Sequence, residues 1–320
     1  MGSKPLVRPP RLAPGIRMAL VAPAGPLLER DDLTRAETLC RALGYEPVPG
    51  PHAGGRYGYF SGTDEERLAD LNGAFRDPAI DAVWCIRGGY GVTRILEHVD
   101  FEALARRPRA VIGYSDITAL LAGITRRAGL VAFHAPTARA EMPGFSRRHF
   151  ARVLTAAEPA GTLESLPVPA DVLVPRENRI VTIRGGVAEG PLAGGNLTLL
   201  QCLIGTRFLP DLDGALLVLE DVNEELYRID RMLAHLRLAG ALTRIRGVLI
   251  GRFSGLERHN ADGALGLDEV LEHHFGPLGV PVAHGLPIGH IDDQWTVPLG
   301  VRARFDADAG VVELLESAVG

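Results

Sequence analysis

Apolar runs and amphipathic helical patterns take turns through the first half of this sequence, and that alternation limits the fold more than any other feature. "MALVAP" reads as a strand. "RDDLTRAETLCRALG" reads as a helix, with Leu33, Ala36, Leu39, Cys40 and Leu43 on one face and Gly44 as its stop. "YEPVPG" is a second strand, and "DEERLADLNGAF" a helix with Leu68, Leu71 and Phe75 on one face. "DAVWCIRGGYG" is a strand ending in a glycine-rich loop, "VTRILEHV" a short helix, "AVIGYSD" a strand with its helix behind it, and "LVAFHAPT" a further strand. Strands that are apolar throughout must be covered on both faces, which predicts a parallel sheet with helices on each side. Its crossovers should be right-handed, and its ligands should bind at the carboxyl ends of its strands.

The pattern loosens in "EPAGTLESLPVPADVLVPREN" and then resumes in mixed form. "GALLVLEDV" is a strand, "ELYRIDRMLAHLRLAG" a helix, "RGVLIGRFS" a strand, "LDEVLEHHFG" a helix and "VPVAHGLPIGH" a strand with a turn. "TVPLGVRARFDADAGVVELLES" reads as strands joined by a turn at Asp308-Ala309-Gly310. The fold class is therefore α/β: an N-terminal parallel sheet with helices on both faces, plus a smaller mixed α/β C-terminal domain. The expected division is 1–157, a linker at 158–184, and 185–320.

Of 320 residues, 46% are hydrophobic and 23% charged, so a sizeable core is possible. A net charge of −5 with mixed signs offers no basic field for nucleic acid. No apolar window approaches the roughly 18 residues of a membrane span, and Met18 to Ala22 is too short for a secretory h-region. Cys40, Cys85 and Cys202 are far apart and odd in number, which predicts buried thiols in a reducing compartment. A cytoplasmic enzyme or binding protein is the expectation.

Ser115 sits between the apolar run 110–112 and a helical pattern that begins near Ile117. Serine there either caps the helix or is exposed on a sharp strand-to-helix turn as a nucleophile. The elbow pattern G-x-S-x-G is not completed, since Ile117 stands in its last place. "RGGYG" at 87–91 ends the preceding strand, where glycines let backbone N–H groups approach a ligand. It completes no dinucleotide fingerprint, and "AEGPLAGGN" at 188–196 lacks the Lys-Ser/Thr of a phosphate loop. A serine nucleophile needs a base and usually an orienting acid. His98, His149 and His235 lie in charged helical stretches and read as solvated. His273 and His274 lack the spacing of a zinc helix, and His52, His259 and His284 carry no further signal. His134 and His290 both follow apolar strands, and spacing does not choose between them. Glu220 and Asp221 end the most apolar strand of the second half, where an acid can equally serve as a cap or ion-pair partner.

Together, "RGGYG", "IGYSDIT", "LLVLEDVNEELYRIDRML", "GVLIGRF" and "GLPIGHIDDQWTVPLGVRARFD" resemble the LD-carboxypeptidase family of serine peptidases, over about Arg17 to Glu316. The microcin-C self-immunity peptidases are a branch of the same family. The resemblance implies a Ser-Glu-His triad of Ser115, Glu220 and His290. It implies an oxyanion hole made by the backbone N–H groups of Gly89 and Asp116. His134 then becomes a structural or supporting residue. The implied substrate is a peptidoglycan tetrapeptide losing its terminal D-alanine in cell-wall recycling, with no cofactor, no metal ion and a homodimeric state. An arginine should pair with the substrate's free carboxylate; Arg87 and Arg231 are the candidates considered. Two other readings stay open: cleavage of a peptidyl-nucleotide or acyl-sulfamoyl adenylate, and non-catalytic muropeptide binding. Glu158 to Arg184 contains no Phe, Tyr or Trp to stack on an adenine, which weighs against the first of these.

Overall fold

The computed structural model describes residues 5–166, 178–256 and 265–320. Two sheets organise them. The first is built from β1 (Arg17–Val21), β2 (Glu46–Pro49), β3 (Ala82–Cys85), β4 (Ala110–Gly113) and β5 (Ala132–His134), all parallel, in the spatial order β5-β4-β3-β1-β2. β3 and β4 are buried at every residue, as continuous apolar runs between two helix layers require. The helix Asp64–Arg76 starts on a reciprocal cap: the Thr63 hydroxyl accepts from Glu66 N–H, and the Glu66 carboxylate accepts from Thr63 N–H.

The second sheet draws on β6 (Gly161–Thr162), β7 (Val181–Arg184), β8 (Val187–Asn196), β9 (Leu216–Val222), β10 (Gly247–Ser254) and β11 (Val282–His284). One further strand, β12 (Val297–Leu299), leaves this half of the chain and adds to the first sheet, antiparallel to β5 with Val297 opposite His134. β13 (Arg302–Asp306) and β14 (Val311–Leu314) then return to the second sheet as a hairpin. The order is β6-β14-β13-β8-β9-β10-β11-β7, with β8 to β11 parallel and the outer pairs antiparallel. Alternation along β9 sorts its side chains onto two faces. Leu216 and Val218 join the core shared with the first sheet. Leu217 and Leu219 pack with Ile229, Leu233 and Leu236 of the helix Leu226–Leu238.

β6 and β7 lie inside the stretch expected to be a linker; residues 167–177 of it lie outside the described residues. Cys40 and Cys85 are buried as expected, whereas Cys202 is exposed at the end of the helix Leu197–Cys202. His149, expected in solvent, is buried, because the rings of Phe145 and Trp295 pack beside it at 4.5 and 6.3 Å. Among the described residues no helix is long and apolar enough to cross a membrane.

Candidate active site

β4 ends at Gly113, where a Cβ would stand 2.9 Å from Ile117 Cγ2 and 3.1 Å from Cys85 Cβ. Tyr114 follows in extended conformation, and Ser115 turns the chain with φ +65°. A short 3₁₀ turn, Ser115–Ile117, then leads into the helix Thr118–Gly123. The N-cap positions of this turn and of the helix are Tyr114 and Ile117, so Ser115 is not the expected cap. Its Oγ lies 3.0 Å from His290 Nε2.

His290 comes from the turn that joins β11 to β12. Trp295 N–H donates to Pro287 O at 2.7 Å and closes that turn. Ser146, on the helix Gly144–Leu154, pins it from outside: its hydroxyl donates to Asp292 O at 2.9 Å and accepts from Gln294 N–H at 2.9 Å. The other ring nitrogen, Nδ1, lies 2.8 Å from Glu220 Oε2. A carboxylate accepts only, so Nδ1 carries the proton, and Nε2 is free to accept from the Ser115 hydroxyl. Glu220 is completely buried near the end of β9. Burial pushes its carboxyl above the ordinary value, while hydrogen bonds from His290 and Asn196 pull the other way.

Two supporting residues, Asn196 and Tyr114, carried no obvious sign in the sequence, and Asp116, expected to act through its backbone N–H, also uses its carboxylate. Asn196 Nδ2 donates to Glu220 Oε1 at 3.2 Å and to Asp221 Oδ1 at 3.0 Å, and Asn196 Oδ1 caps the following helix by accepting from Leu199 N–H at 3.2 Å. An asparagine before an apolar run is a helix-start signal, which the glycine pattern around it obscures. Tyr114 places its ring 4.9 Å from that of His290. The Asp116 carboxylate accepts from Val92 N–H at 2.8 Å and so ties the Ser115 turn to the end of the 87–91 loop. Burial lifts that carboxyl to about 6, against the Val92 and Gly91 N–H groups and the charge of Arg67.

The glycines of this loop are sterically required. A Cβ on Gly88 would stand 2.7 Å from Ser115 Cβ, 2.9 Å from its Oγ and 3.3 Å from Asp116 N. Gly89 has φ +107° and lies against Gly25, whose Cα would be 3.0 Å from a Gly89 Cβ. The loop is thus wedged between the Ser115 turn and the segment after β1.

His134 lies opposite Gly113 on the neighbouring strand, fully buried. Neither of its ring nitrogens has a hydrogen-bond partner among the described residues, and burial, then the nearby His290, lower it to about 3. It is a neutral ring that does not reach the serine. His52, His274 and His284 pair instead with Asp70, Asp230 and Asp268, and His259 lies outside the described residues. Arg231 is on the outer helix Leu226–Leu238 with its guanidinium 5.5 Å from the Tyr227 ring centre, whereas Arg87 lies beside Gly25 and Gly89. Among the described residues no group of three or more His, Cys, Asp or Glu could hold a metal ion.

Comparison with known proteins identifies the family of the chain. Residues 18–135 match the LD-carboxypeptidase N-terminal domain, and residues 189–305 match the LD-carboxypeptidase C-terminal domain. A candidate carboxypeptidase of Streptomyces coelicolor is 41% identical over 317 residues, 97% of this chain and 96% of its own. The murein tetrapeptide carboxypeptidase of Pseudomonas aeruginosa is 35% identical over 301 residues, 91% of this chain and 94% of its own. The wild-type apo structure of the microcin C7 self-immunity protein MccF superposes with a TM-score of 0.87 at 25% identity, covering 98% of this chain and all (100%) of that one. Two domain matches in the right order and relatives aligned nearly end to end lead to one conclusion: the chain belongs to the LD-carboxypeptidase family and is a serine-type carboxypeptidase.

Proposed function

We propose that this enzyme releases the terminal D-alanine of peptidoglycan tetrapeptides, working in the cytoplasm on recycled cell-wall fragments as a homodimer. The observation that carries the reading is the hydrogen-bonded series Glu220–His290–Ser115, with spacings of 2.8 and 3.0 Å. In this reading His290 Nε2 takes the Ser115 proton as Oγ attacks the amide carbonyl. Glu220 holds the imidazole in the tautomer that leaves Nε2 free, and its charge offsets the imidazolium that forms. The backbone N–H groups of Gly89 and Asp116 receive the developing oxyanion, about 3 kcal/mol for each donor in comparable sites. The imidazolium gives its proton to the departing amine, and a water activated by the same ring hydrolyses the acyl-enzyme.

The test offers the enzyme a free tetrapeptide, the corresponding pentapeptide and an aminoacyl-sulfamoyl adenylate in parallel. D-Alanine should leave the tetrapeptide, and Ser115→Ala should lower that rate by at least about 10³-fold with the fold intact. Preferred cleavage of the adenylate would replace this reading with the second one, which the superposition on a self-immunity protein favours. Tight tetrapeptide binding with no product from any substrate would leave a non-catalytic muropeptide binder.

A further inference from the structure

A cavity of about 640 Å³ lies at the seam of the two sheets, and neither the proposed triad nor the 87–91 loop lines it. Its first wall belongs to the N-terminal half of the chain. Ala122 of the helix Thr118–Gly123, Thr125 and Arg126 of the turn behind that helix, and Val131 stand there. Its second wall is β8 from Gly190 to Gly194, with Gly214 and Arg246 from the approaches to β9 and β10. Leu299 to Arg302, where the chain passes from β12 to β13, close the space between the walls. Backbone bonds fix both sides. Val7 N–H donates to Gly129 O at 2.8 Å and Val131 N–H to Val7 O at 2.9 Å on one; Gly300 N–H donates to Leu192 O at 2.7 Å and Leu192 N–H to Val301 O at 2.9 Å on the other. The volume falls within the range of about 300–1,000 Å³ typical of small-molecule sites. Ala122, Val131, Leu192, Leu299 and Val301 make the interior apolar.

The charges around this apolar space do not cancel. Arg8 pairs with Glu316 at 3.2 Å, Arg302 with Glu189 at 3.5 Å, and Asp213 with Arg244. Arg246 reaches only a carbonyl, Glu189 O at 3.4 Å. Arg126 has no ion-pair or hydrogen-bond partner among the described residues. Asp211 is the one lining acid outside an ion pair among the described residues, and it accepts from Asp213 N–H at 3.1 Å. Two unpaired guanidinium groups thus face one unpaired carboxylate, with Arg126 on one wall and Arg246 on the other. That surplus of a single positive charge disfavours a cation and suits one negative head. The apolar interior asks for a hydrophobic body behind it.

We propose that this seam cavity is a second ligand site, for a small amphipathic monoanion: an aromatic or short acyl body with one carboxylate or sulfonate head. The inference is independent of the tetrapeptide reading. What occupancy does follows from what the walls carry. The helix Thr118–Gly123 continues from the Ser115 turn, and β8 ends at Asn196, which donates to Glu220. Beyond the cavity the two walls meet where Asn196 N–H donates to Thr118 Oγ1 at 3.1 Å. A ligand that touches both walls binds only while they are together, so it stabilises the junction on which the meeting of Ser115 and His290 depends.

The experiment titrates the full chain with anilinonaphthalene sulfonate, an aromatic monoanion, by calorimetry and by its effect on thermal unfolding. Phenylnaphthylamine, which lacks the sulfonate, and inorganic phosphate, which lacks the apolar body, run beside it. The sulfonate should bind one per chain and raise the unfolding midpoint, the amine should bind at least about fivefold more weakly, and phosphate should not bind. Both guanidinium heads are exposed, so screening limits what each contributes. Arg126→Gln and Arg246→Gln should each weaken the sulfonate about 5- to 10-fold and leave the amine unchanged. Thr125→Phe, which adds a ring from a partly exposed wall position, should abolish binding of both with the circular dichroism spectrum retained; Thr125→Leu should weaken both with a smaller intrusion. Sulfonate binding that all of these variants leave intact would put the probe elsewhere and overturn the site. Equal binding of the amine would overturn the anionic class, binding of phosphate alone would overturn the apolar body, and no binding of the sulfonate would overturn the proposal outright. Excess tetrapeptide added to Ser115→Ala should leave the probe in place. Displacement would locate the probe in the active site, removing the second site while leaving the tetrapeptide reading standing.

Discussion

Ser115 holds a φ of +65°, a region that residues with side chains enter at a cost of about 1–3 kcal/mol. The surrounding structure sustains it: β4 is buried to its last residue and the helix Thr118–Gly123 is buried throughout. The turn places Oγ 3.0 Å from His290 Nε2. His290 and His134 both lie near Tyr114, with ring centres 4.9 and 5.8 Å from it. Only His290 has a carboxylate behind it and a hydroxyl in front. Replacing His290 by alanine should therefore lower kcat by about 10²–10⁴-fold, whereas His134→Phe should change kcat less than about tenfold once stability is matched. Steady-state assays of the two variants decide it, and a larger loss for the His134 variant would reverse the roles. Both histidines follow apolar runs in the sequence; the 70 residues between Glu220 and His290 hide the contact that distinguishes them.

In the proposed mechanism the loop 87–91 acts through its backbone, and Gly88 packs against Ser115 with no room for a side chain. Gly88→Ala would drive a methyl into Ser115 Cβ and Oγ at 2.7 and 2.9 Å. The expected result is a loss of kcat of at least about 10²-fold, the scale of one missing oxyanion donor, with the circular dichroism spectrum retained. Near-normal turnover would mean the loop is not part of the site. This element was legible as a glycine-rich strand end, since its close packing on Ser115 demands residues without side chains. β1 to β5 were legible for a related reason: strands covered on both faces are apolar without interruption. β12 was not legible as a member of the first sheet. It is three residues long, and it pairs with His134, 163 residues earlier, through an antiparallel contact that leaves no local trace. His149 misled because its neighbours along the helix are charged, while the rings that bury it come partly from Trp295 on another segment.

For the molecule as a whole, the buried histidines set the response to acid. Burial lowers His134 to about 3 and His149 to about 4 from an ordinary 6.5. Between 6.5 and those values the unfolded chain binds protons that the folded chain refuses, so their contribution to stability is complete above pH 6.5 and is lost as the pH falls through the window. Asp116, raised from 3.8 to about 6, acts in the opposite sense over its own range and offsets part of that loss. His149→Phe keeps an aromatic ring against Phe145 and Trp295 and removes the titration. Denaturant unfolding at pH 7 and pH 4.5 should show a smaller acid destabilisation in this variant than in the wild type, by up to about 2–3 kcal/mol. Identical pH dependence in the two proteins would contradict the assignment. The excursion of β12 into the first sheet has a different consequence. The segment bearing His290 is anchored at one end by β11 in the second sheet and at the other by β12 against β5. As the chain leaves the ribosome, the strands β1 to β5, the glycine loop and Ser115 can assemble early, but His290, the proton acceptor of the proposed mechanism, follows only after β11. A nascent or prematurely terminated polypeptide would display the serine without the means to activate it. Hydrolytic competence would then begin only when the last crossing is made.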